Sequence, residues 1–508
     1  MGTPVTGTKK RLLLVYPNQR WLKDDVVTTW NLDPRMLCQM AAMVDDLVDV
    51  RVLDCQFYGR SIQDFETEIR DFAPDFIGIS QMTTEYAAVL DAAADACKRA
   101  SPEAVVIVGG VHVTTCYKWV MDNPSIDYAC RGEGEHVLRE LMLHLTEGAP
   151  FPTTGIVSRE HGKMIDRPKA VVDDVTALPW PRYDLVDMNE YVWSVPRQGS
   201  NRYPEMPGVP MIISRGCPYL CTFCQVETIS GRKVRMLDPD FVVSEIKFLK
   251  EQYGIRAITF FDDNFFLPKT GMKELLRKMI SEKLDIKWHA AGASLWVIDD
   301  EFIDLMKRAG CTGITVAIES GNERVLHDII NKPIKNLKDV PNQIKRITDA
   351  GIFVNANFVI GSPGETWEEI RETVYFAETC NADYVKFYVA VPLIGTKMRE
   401  MAVELGMLDD PNDPLRIDWR NAGLSSHEGE WTAKDVAALR VYEWDRINFQ
   451  PSRIQKIADN WGLSVDDLNA IRKRTRDSLT IWSTEGAEPA LGAPKPMESK
   501  AKLAVVNG

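Results

Sequence analysis

Residues 215–224 read RGCPYLCTFC and set Cys217, Cys221 and Cys224 in a C-x3-C-x2-C spacing. The apolar run MIISRG (211–216) stands directly before them, and the amphipathic stretch FVVSEIKFLKEQYG follows. A short apolar run closed by Gly and Pro reads as a buried strand, and the 3.6-residue period after it as a helix. Three thiolates this close in sequence can wrap one face of a small metal cluster. A structural zinc site asks for a fourth Cys or His at similar local spacing. The next ones, His289 and Cys311, lie far along the chain. An iron–sulfur cluster with one iron open to a chelating ligand therefore fits better than zinc.

Downstream, the strand-helix rhythm continues. RAITFFDD (256–263), KWHAAGAS (287–294), GITVAIES (313–320), FVNANFVIG (353–361) and YVKFYVAVP (384–392) read as strands. DEFIDLMKRAG, PNQIKRITDAG and WEEIRETVYFAETC read as the helices between them, two of them closed by Gly. Six βα units are too few for a closed eight-stranded barrel. The expectation is a partial (β/α)6 barrel over 208–405, open on one side. Its ligand side is the carboxyl ends of the strands, where Asp262, Asp263, Ser294, Glu319, Ser320 and Gly361 stand.

Upstream, RLLLVYP (11–17), VDVRVLD (48–54), DFIGIS (75–80), AVVIVGG (104–110) and IDYACRG (126–132) alternate with amphipathic helical stretches. This predicts an α/β, doubly wound parallel sheet of Rossmann-like type over residues 1–150. Its ligand loops follow Ser80, Gly110 and Gly132. The Pro-rich stretch 151–207 reads as a connector, 406–484 as a helical C-terminal region, and 485–508 as a disordered tail.

A net charge of −13 argues against a general nucleic-acid binder. No apolar run reaches the roughly 18 residues of a membrane span. With no cleavable leader in MGTPVTGTKKRLLLVYP, a cytoplasmic protein is expected. Seven further cysteines (Cys38, Cys55, Cys97, Cys116, Cys130, Cys311, Cys380) are scattered singly and read as buried small hydrophobes.

The cysteine triplet after the first barrel strand, with Phe223 before its last cysteine, resembles the signature of the radical S-adenosylmethionine superfamily. The resemblance implies a [4Fe–4S] cluster held by Cys217, Cys221 and Cys224, with S-adenosylmethionine chelating the fourth iron. It implies that the reduced cluster cleaves S-adenosylmethionine to methionine and a 5′-deoxyadenosyl radical. Asp262 and Asp263 then read as contacts to the amino group of S-adenosylmethionine, against a helix cap or a surface pair. Ser294, Glu319 and Ser320 would serve its ribose or amino group. Gly361 and Gly364 in GSPGET (361–366) would form the adenine loop, with Glu365 as an N-cap acid.

PDFIGISQMTTEY, VVIVGGVHVTT and IDYACRGEGEHVLREL extend the resemblance to the subgroup with an N-terminal cobalamin-binding domain, over roughly residues 10–405. The resemblance places Ser80, Thr83, Thr84, Gly109, Gly110, Gly132 and Glu133 around cobalamin. One departure stands out: the loop PNQRWLKDDVV lacks the histidine that ligates cobalt in many such domains, and DCQFYG carries Gln56 after the wrong strand. His112 reads either as a cobalt ligand or as a loop or helix-end residue.

The function implied is a cobalamin-dependent radical methyltransferase acting on an unactivated carbon (or another inert centre) of a small molecule, such as a secondary-metabolite precursor. Oxidative cyclisation or rearrangement without methyl transfer is the alternative. A ferredoxin- or flavodoxin-like donor of low-potential electrons is the expected partner. Tyr384, Lys386 and Tyr388 read either as pocket lining or as core-strand residues.

Overall fold

The computed structural model describes residues 9–22, 34–197, 206–408 and 424–483. Strands β1 (Arg11–Tyr16), β2 (Asp49–Asp54), β3 (Phe76–Ser80), β4 (Val105–Gly109) and β5 (Tyr128–Cys130) are parallel. The hairpin β6 (Ile156–Glu160) and β7 (Lys163–Asp166) adds to them antiparallel. The sheet order is β2-β1-β3-β4-β5-β6-β7. In β1 the central four residues are buried because helices cover both faces. Leu13 and Val15 join the core on one face, Leu12 and Leu14 the core on the other, as the two-residue period requires. Order 2-1-3-4-5 is the flavodoxin-like winding, whose ligand crevice lies beyond the carboxyl ends of the strands.

The hairpin lies inside the stretch expected to be a connector, as does the helix Met188–Arg197. The first sheet therefore runs past residue 150. These strands escaped the pattern because β7 buries almost none of its residues, so no apolar alternation marks it.

The second sheet is built from β8 (Gly208–Met211), β11 (Ala257–Phe260), β12 (Lys287–Ala293), β13 (Cys311–Glu319), β14 (Phe353–Ile360) and β15 (Tyr384–Val389), all parallel and in that order. Between β8 and β11, a two-residue ribbon pairs β9 (Ser214–Arg215) with β10 (Arg235–Met236). The first barrel strand was expected at 211–216. It ends at Met211 because Asp262 accepts hydrogen bonds from the Ile213 amide (3.1 Å) and the Ser214 amide and hydroxyl (2.5 and 2.6 Å). Those bonds turn the chain off the sheet into the ribbon that stems the cysteine loop.

The sheet is a partial barrel with free edges at β8 and β15. Beyond the helix Lys397–Glu404, three more follow among the described residues, Ala433–Asn448, Pro451–Trp461 and Val465–Ser483. The first of these three lies along β15, where the buried Asn448 amide accepts from the Val385 amide and donates to its carbonyl, both at 2.8 Å. One side chain thus stands in for a seventh strand. All seven scattered cysteines are buried. Among the described residues no helix is long and apolar enough to cross a membrane. The expected tail, 485–508, lies outside the described residues.

Candidate active site between the two sheets

Cys217, Cys221 and Cys224 are half-buried in the loop between β9 and the short helix Val226–Ile229. The loop is held from outside. Cys217 donates its amide to the Gly231 carbonyl (3.3 Å), and Thr222 donates amide and hydroxyl to Ile330 and Ile329 carbonyls (2.9 and 2.7 Å). Gly216 sits at φ 88, where a Cβ would lie 2.4 Å from the Lys233 carbonyl oxygen. Phe223 packs against Val325, Ile329 and Ile330 on one side and Val359, Ala390 and Met398 on the other. Burial raises all three thiols, Cys224 to about 12, so thiolates form here only with cationic metal to stabilise them. Among the described residues no three His, Cys, Asp or Glu side chains gather around a single ion. A cubane instead spreads three thiolates over three irons, and this donor set fits it.

The barrel's strand ends divide into supports and open groups. Asp262 is buried; its Oδ1 accepts from Ile213 and Ser214 and braces the stem, while its Oδ2 has no hydrogen-bond partner within the protein. Asp263 is exposed to the cleft and accepts from the Gly216 amide at 2.8 Å. Ser294 accepts from Asn264 (2.8 Å). Ser320 is fully buried against Thr373 (2.9 Å) and accepts from the Asn322 amide, so it shapes the turn rather than a ligand surface. Glu319 sits at φ 76 and meets the Lys332 ammonium at 2.8 Å.

Lys332 is the residue the sequence reading missed. It is buried and lies 5.5 Å above the Trp296 ring; the field of Glu319 and of Cys221 and Cys224 holds its pKa above the usual lysine value against burial. Nothing in NKP (331–333) signals a buried cation.

Gly361, at φ 80, has Val436 and Trp431 of the C-terminal region where a side chain would be, so that face of the loop is covered by protein. Glu365 accepts from the Ser362 amide (2.8 Å) inside the same loop, and burial lifts its carboxyl to about 8. Trp431 donates to the Glu365 carbonyl (2.9 Å). Tyr384 is core: its hydroxyl accepts from Trp444 at 2.7 Å. Tyr388 remains 39% exposed and Lys386 half-buried on the same strand face.

Facing the cysteine loop across the cleft, the ends of β3, β4 and β5 border a cavity of about 350 Å3. Ser80, Gly109, Gly110, Gly132 and Glu133 line it from the sheet side, and Ser214, Arg215, Val226, Ile229 and Asp263 from the barrel side. The size suits the flat nucleotide tail of a cobalamin rather than the whole corrin. The two adjacent glycines do different work. A Cβ on Gly109 would meet only Cys130 Cβ at 3.7 Å, so its openness serves the cavity. A Cβ on Gly110 would lie 2.4 Å from the Gln81 carbonyl oxygen, so that glycine lets two backbones pass.

Thr83 and Thr84 turn away from this cavity into local structure. Thr83 caps a turn through the Glu85 amide (3.3 Å), and Thr84 lies 3.2 Å from His112 Nδ1. His112 is buried in the first turn of the helix Val111–Val120, outside the cavity lining, and desolvation pushes its pKa down to about 4. Gln56 accepts from the Gln19 amide (2.8 Å), holding the loop after β1. The rest of that loop, 23–33, lies outside the described residues. Glu133 has its carboxylate engaged by Arg235 and the Val172 amide.

Residues 31–142 match the B12 binding domain family and residues 211–377 the radical SAM superfamily. An uncharacterized methyltransferase of Pyrococcus horikoshii is 31% identical over 81% of this chain and 85% of its own. Cytidylyl-2-hydroxyethylphosphonate methyltransferase of Streptomyces wedmorensis is 27% identical over 86% and 90%. The radical S-adenosylmethionine methyltransferase TsrM of Kitasatospora setae, solved with tryptophan and a SAM analogue, shares the fold at TM-score 0.68, with 20% identity over 88% of this chain and 90% of that one. With both family matches in one chain and a relative of this extent, the protein belongs to the radical S-adenosylmethionine superfamily, in the group that carries a B12-binding domain.

Proposed function

We propose that the protein is a cobalamin-dependent radical methyltransferase that acts on an inert carbon of a small molecule, with a secondary-metabolite precursor as the substrate class. The observation that carries this reading is a cavity shared by the two halves, bordered by Gly109 and Gly110 on one wall and by the stem of the cysteine loop on the other. When bound, the cluster supplies the electron that cleaves S-adenosylmethionine, and cobalamin supplies the methyl group.

The chain's own residues bind, orient and exclude water. Cys217, Cys221 and Cys224 would hold the cluster, and S-adenosylmethionine would bind where no cysteine does. Lys332 places a positive charge next to those thiolates and holds Glu319 in its left-handed conformation at the mouth of β13. Asp263, open to the cleft, offers a carboxylate to a cationic amino group. The GSPGE loop, braced by Glu365 and roofed by Trp431, offers its backbone to a flat base. Gly109 and Ser80 leave room for the nucleotide tail of cobalamin. A ferredoxin- or flavodoxin-like protein would bring the reducing electron.

The test is anaerobic incubation of the reconstituted enzyme with methyl-labelled S-adenosylmethionine, a low-potential reductant and fractionated small-molecule extract. A labelled methylated product supports the reading. An oxidised or cyclised product without label sinks methyl transfer and leaves the alternative chemistry standing.

A further inference from the structure

Two glutamates, Glu133 of the loop after β5 and Glu135 at the start of the helix that follows, meet two arginines from the cysteine-loop stem, and all four are buried or nearly so. Arg215 and Arg235 face each other across the β9–β10 ribbon. Arg235 grips Glu133 with both nitrogens, at 2.5 and 2.9 Å, and donates also to the Ser230 carbonyl (2.6 Å) and the Val172 carbonyl. Arg215 pairs with Glu135 at 2.5 Å and lies 3.7 Å from Glu133. The Glu135 side chain is 2% exposed.

We propose that Glu135, acting through Arg215, is a positioning residue that sets where the cobalamin-side strand ends stand relative to the cysteine loop. The proposal rests on the two-cofactor reading above. The geometry is a short lever. Glu135 opens the helix Glu135–Glu147, immediately after the Gly132–Gly134 segment that lines the cavity. Its partner Arg215 precedes Cys217 by two residues, and the intervening Gly216 amide is pinned by Asp263. A displacement at either end therefore reaches the other through one ion pair and two peptide units. Holding the pair in place leaves no buried charge alone, which is why the register is strongly specified.

A second ion pair between the same halves serves as the internal contrast. Arg35 of the helix Arg35–Ala42 binds Glu245 of the barrel helix Pro239–Tyr253 through two nitrogens at 2.8–3.0 Å, with the Tyr183 hydroxyl on the same carboxylate at 2.6 Å. It joins two helices rather than a strand end and the stem of the cysteine loop; the Arg35 charge still reaches Arg215, but the pair lies outside the Glu135–Arg215 link.

The test compares Glu135→Gln, Arg215→Lys and Glu245→Gln with the wild type, each carrying reduced cluster and cob(II)alamin. Both centres are paramagnetic, so pulsed electron paramagnetic resonance reads the distribution of distances between them. Glu135→Gln is expected to broaden or shift a distribution that is narrow in the wild type. It should also raise amide hydrogen exchange at residues 132–139 and 214–217 by roughly tenfold. Arg215→Lys, which keeps the charge and loses the fork, should fall between. Glu245→Gln should lower the unfolding temperature and leave the distance distribution narrow. The proposal is overturned if Glu135→Gln and Arg215→Lys both keep wild-type distances and exchange, or if Glu245→Gln broadens the distribution as much. A wild type that takes up no cobalamin removes the two-cofactor reading. In that case the exchange measurement decides the joint by itself: raised exchange at 214–217 in Glu135→Gln keeps it, unchanged exchange removes it.

Discussion

The two walls of the central cavity are made by opposite means. On the barrel side, chemistry is carried by side chains: Asp263 and Arg215 on the cavity wall itself, and beyond it the three cysteines and a buried lysine. On the sheet wall it is carried by the lack of them, with Gly109, Gly110 and Gly132 ending or following strands whose other residues are buried apolar. A reactive cluster needs ligands of one element at fixed spacing, whereas a bulky organic cofactor held by shape needs space and a rigid frame. The difference predicts that the barrel wall fails by losing a group and the sheet wall by gaining one.

The largest expected effect is on the barrel wall. Cys221→Ala should abolish S-adenosylmethionine cleavage and strip the iron while leaving cobalamin uptake near wild type, as metal analysis and optical spectra would show. Loss of both cofactors together would break the comparison, because the walls would then not be separable.

On the sheet wall, Gly110→Ala forces a side chain onto φ 102 and into the Gln81 carbonyl, and should destabilise the fold by about 3 kcal/mol in denaturant unfolding. Gly109→Val, one residue away, should change stability by less than about 1 kcal/mol yet weaken cobalamin binding roughly tenfold in equilibrium titration, because its side chain enters the cavity. If the two variants behave alike, the division of labour between these glycines is wrong.

Lys332→Met sharpens the barrel side. It leaves Glu319 buried beside three thiolates with no cation, and should cost about 3 kcal/mol of stability as well as cluster occupancy. Iron content and unfolding should fall together; full iron occupancy would show that the ammonium has no electrostatic part in holding the cluster.

The smallest effect concerns the loop under Trp431. The Glu365 carboxyl is raised to about 8 when folded, against an ordinary 4.5. The folded state therefore holds its proton more tightly, and the stability this gives is fully present below 4.5 and lost as pH rises toward 8. Glu365→Gln should flatten that stretch of the stability profile in thermal unfolding between pH 5 and pH 8, a window taken from the same shift. A variant that keeps the wild-type slope would assign the slope to another group.

How much of this was legible follows the same division. The cysteine triplet states its chemistry in eight residues, and the six barrel strands announce themselves by apolar runs between Gly-stopped helices. The strand ends of the first sheet were legible as positions, because GG after a strand marks a place where side chains are unwelcome. Roles within a strand end were not. Asp262 and Asp263 are neighbours with the same side chain just past the end of β11, yet one is buried against the stem and the other faces the cleft. Asp262 and Ser320 look like ligand contacts in sequence, and in the fold both also hold neighbouring backbone amides. Lys332, Arg215 and Glu135 become meaningful only through partners 13 and 80 residues away, a separation no local pattern carries. Asn448 closing the edge of β15 is a single amide in an ordinary helical stretch, 63 residues from the backbone it satisfies.

The central claim is that one chain holds both cofactors, one beside the strand ends of the first sheet and the other in the cysteine loop whose stem borders the same cavity. It is tested most directly by purifying the protein without oxygen from cobalamin-supplied cells and measuring iron, sulfide and cobalt per chain. The account predicts about four irons and about one cobalt. Four irons with no cobalt, even after reconstitution with hydroxocobalamin, would contradict it.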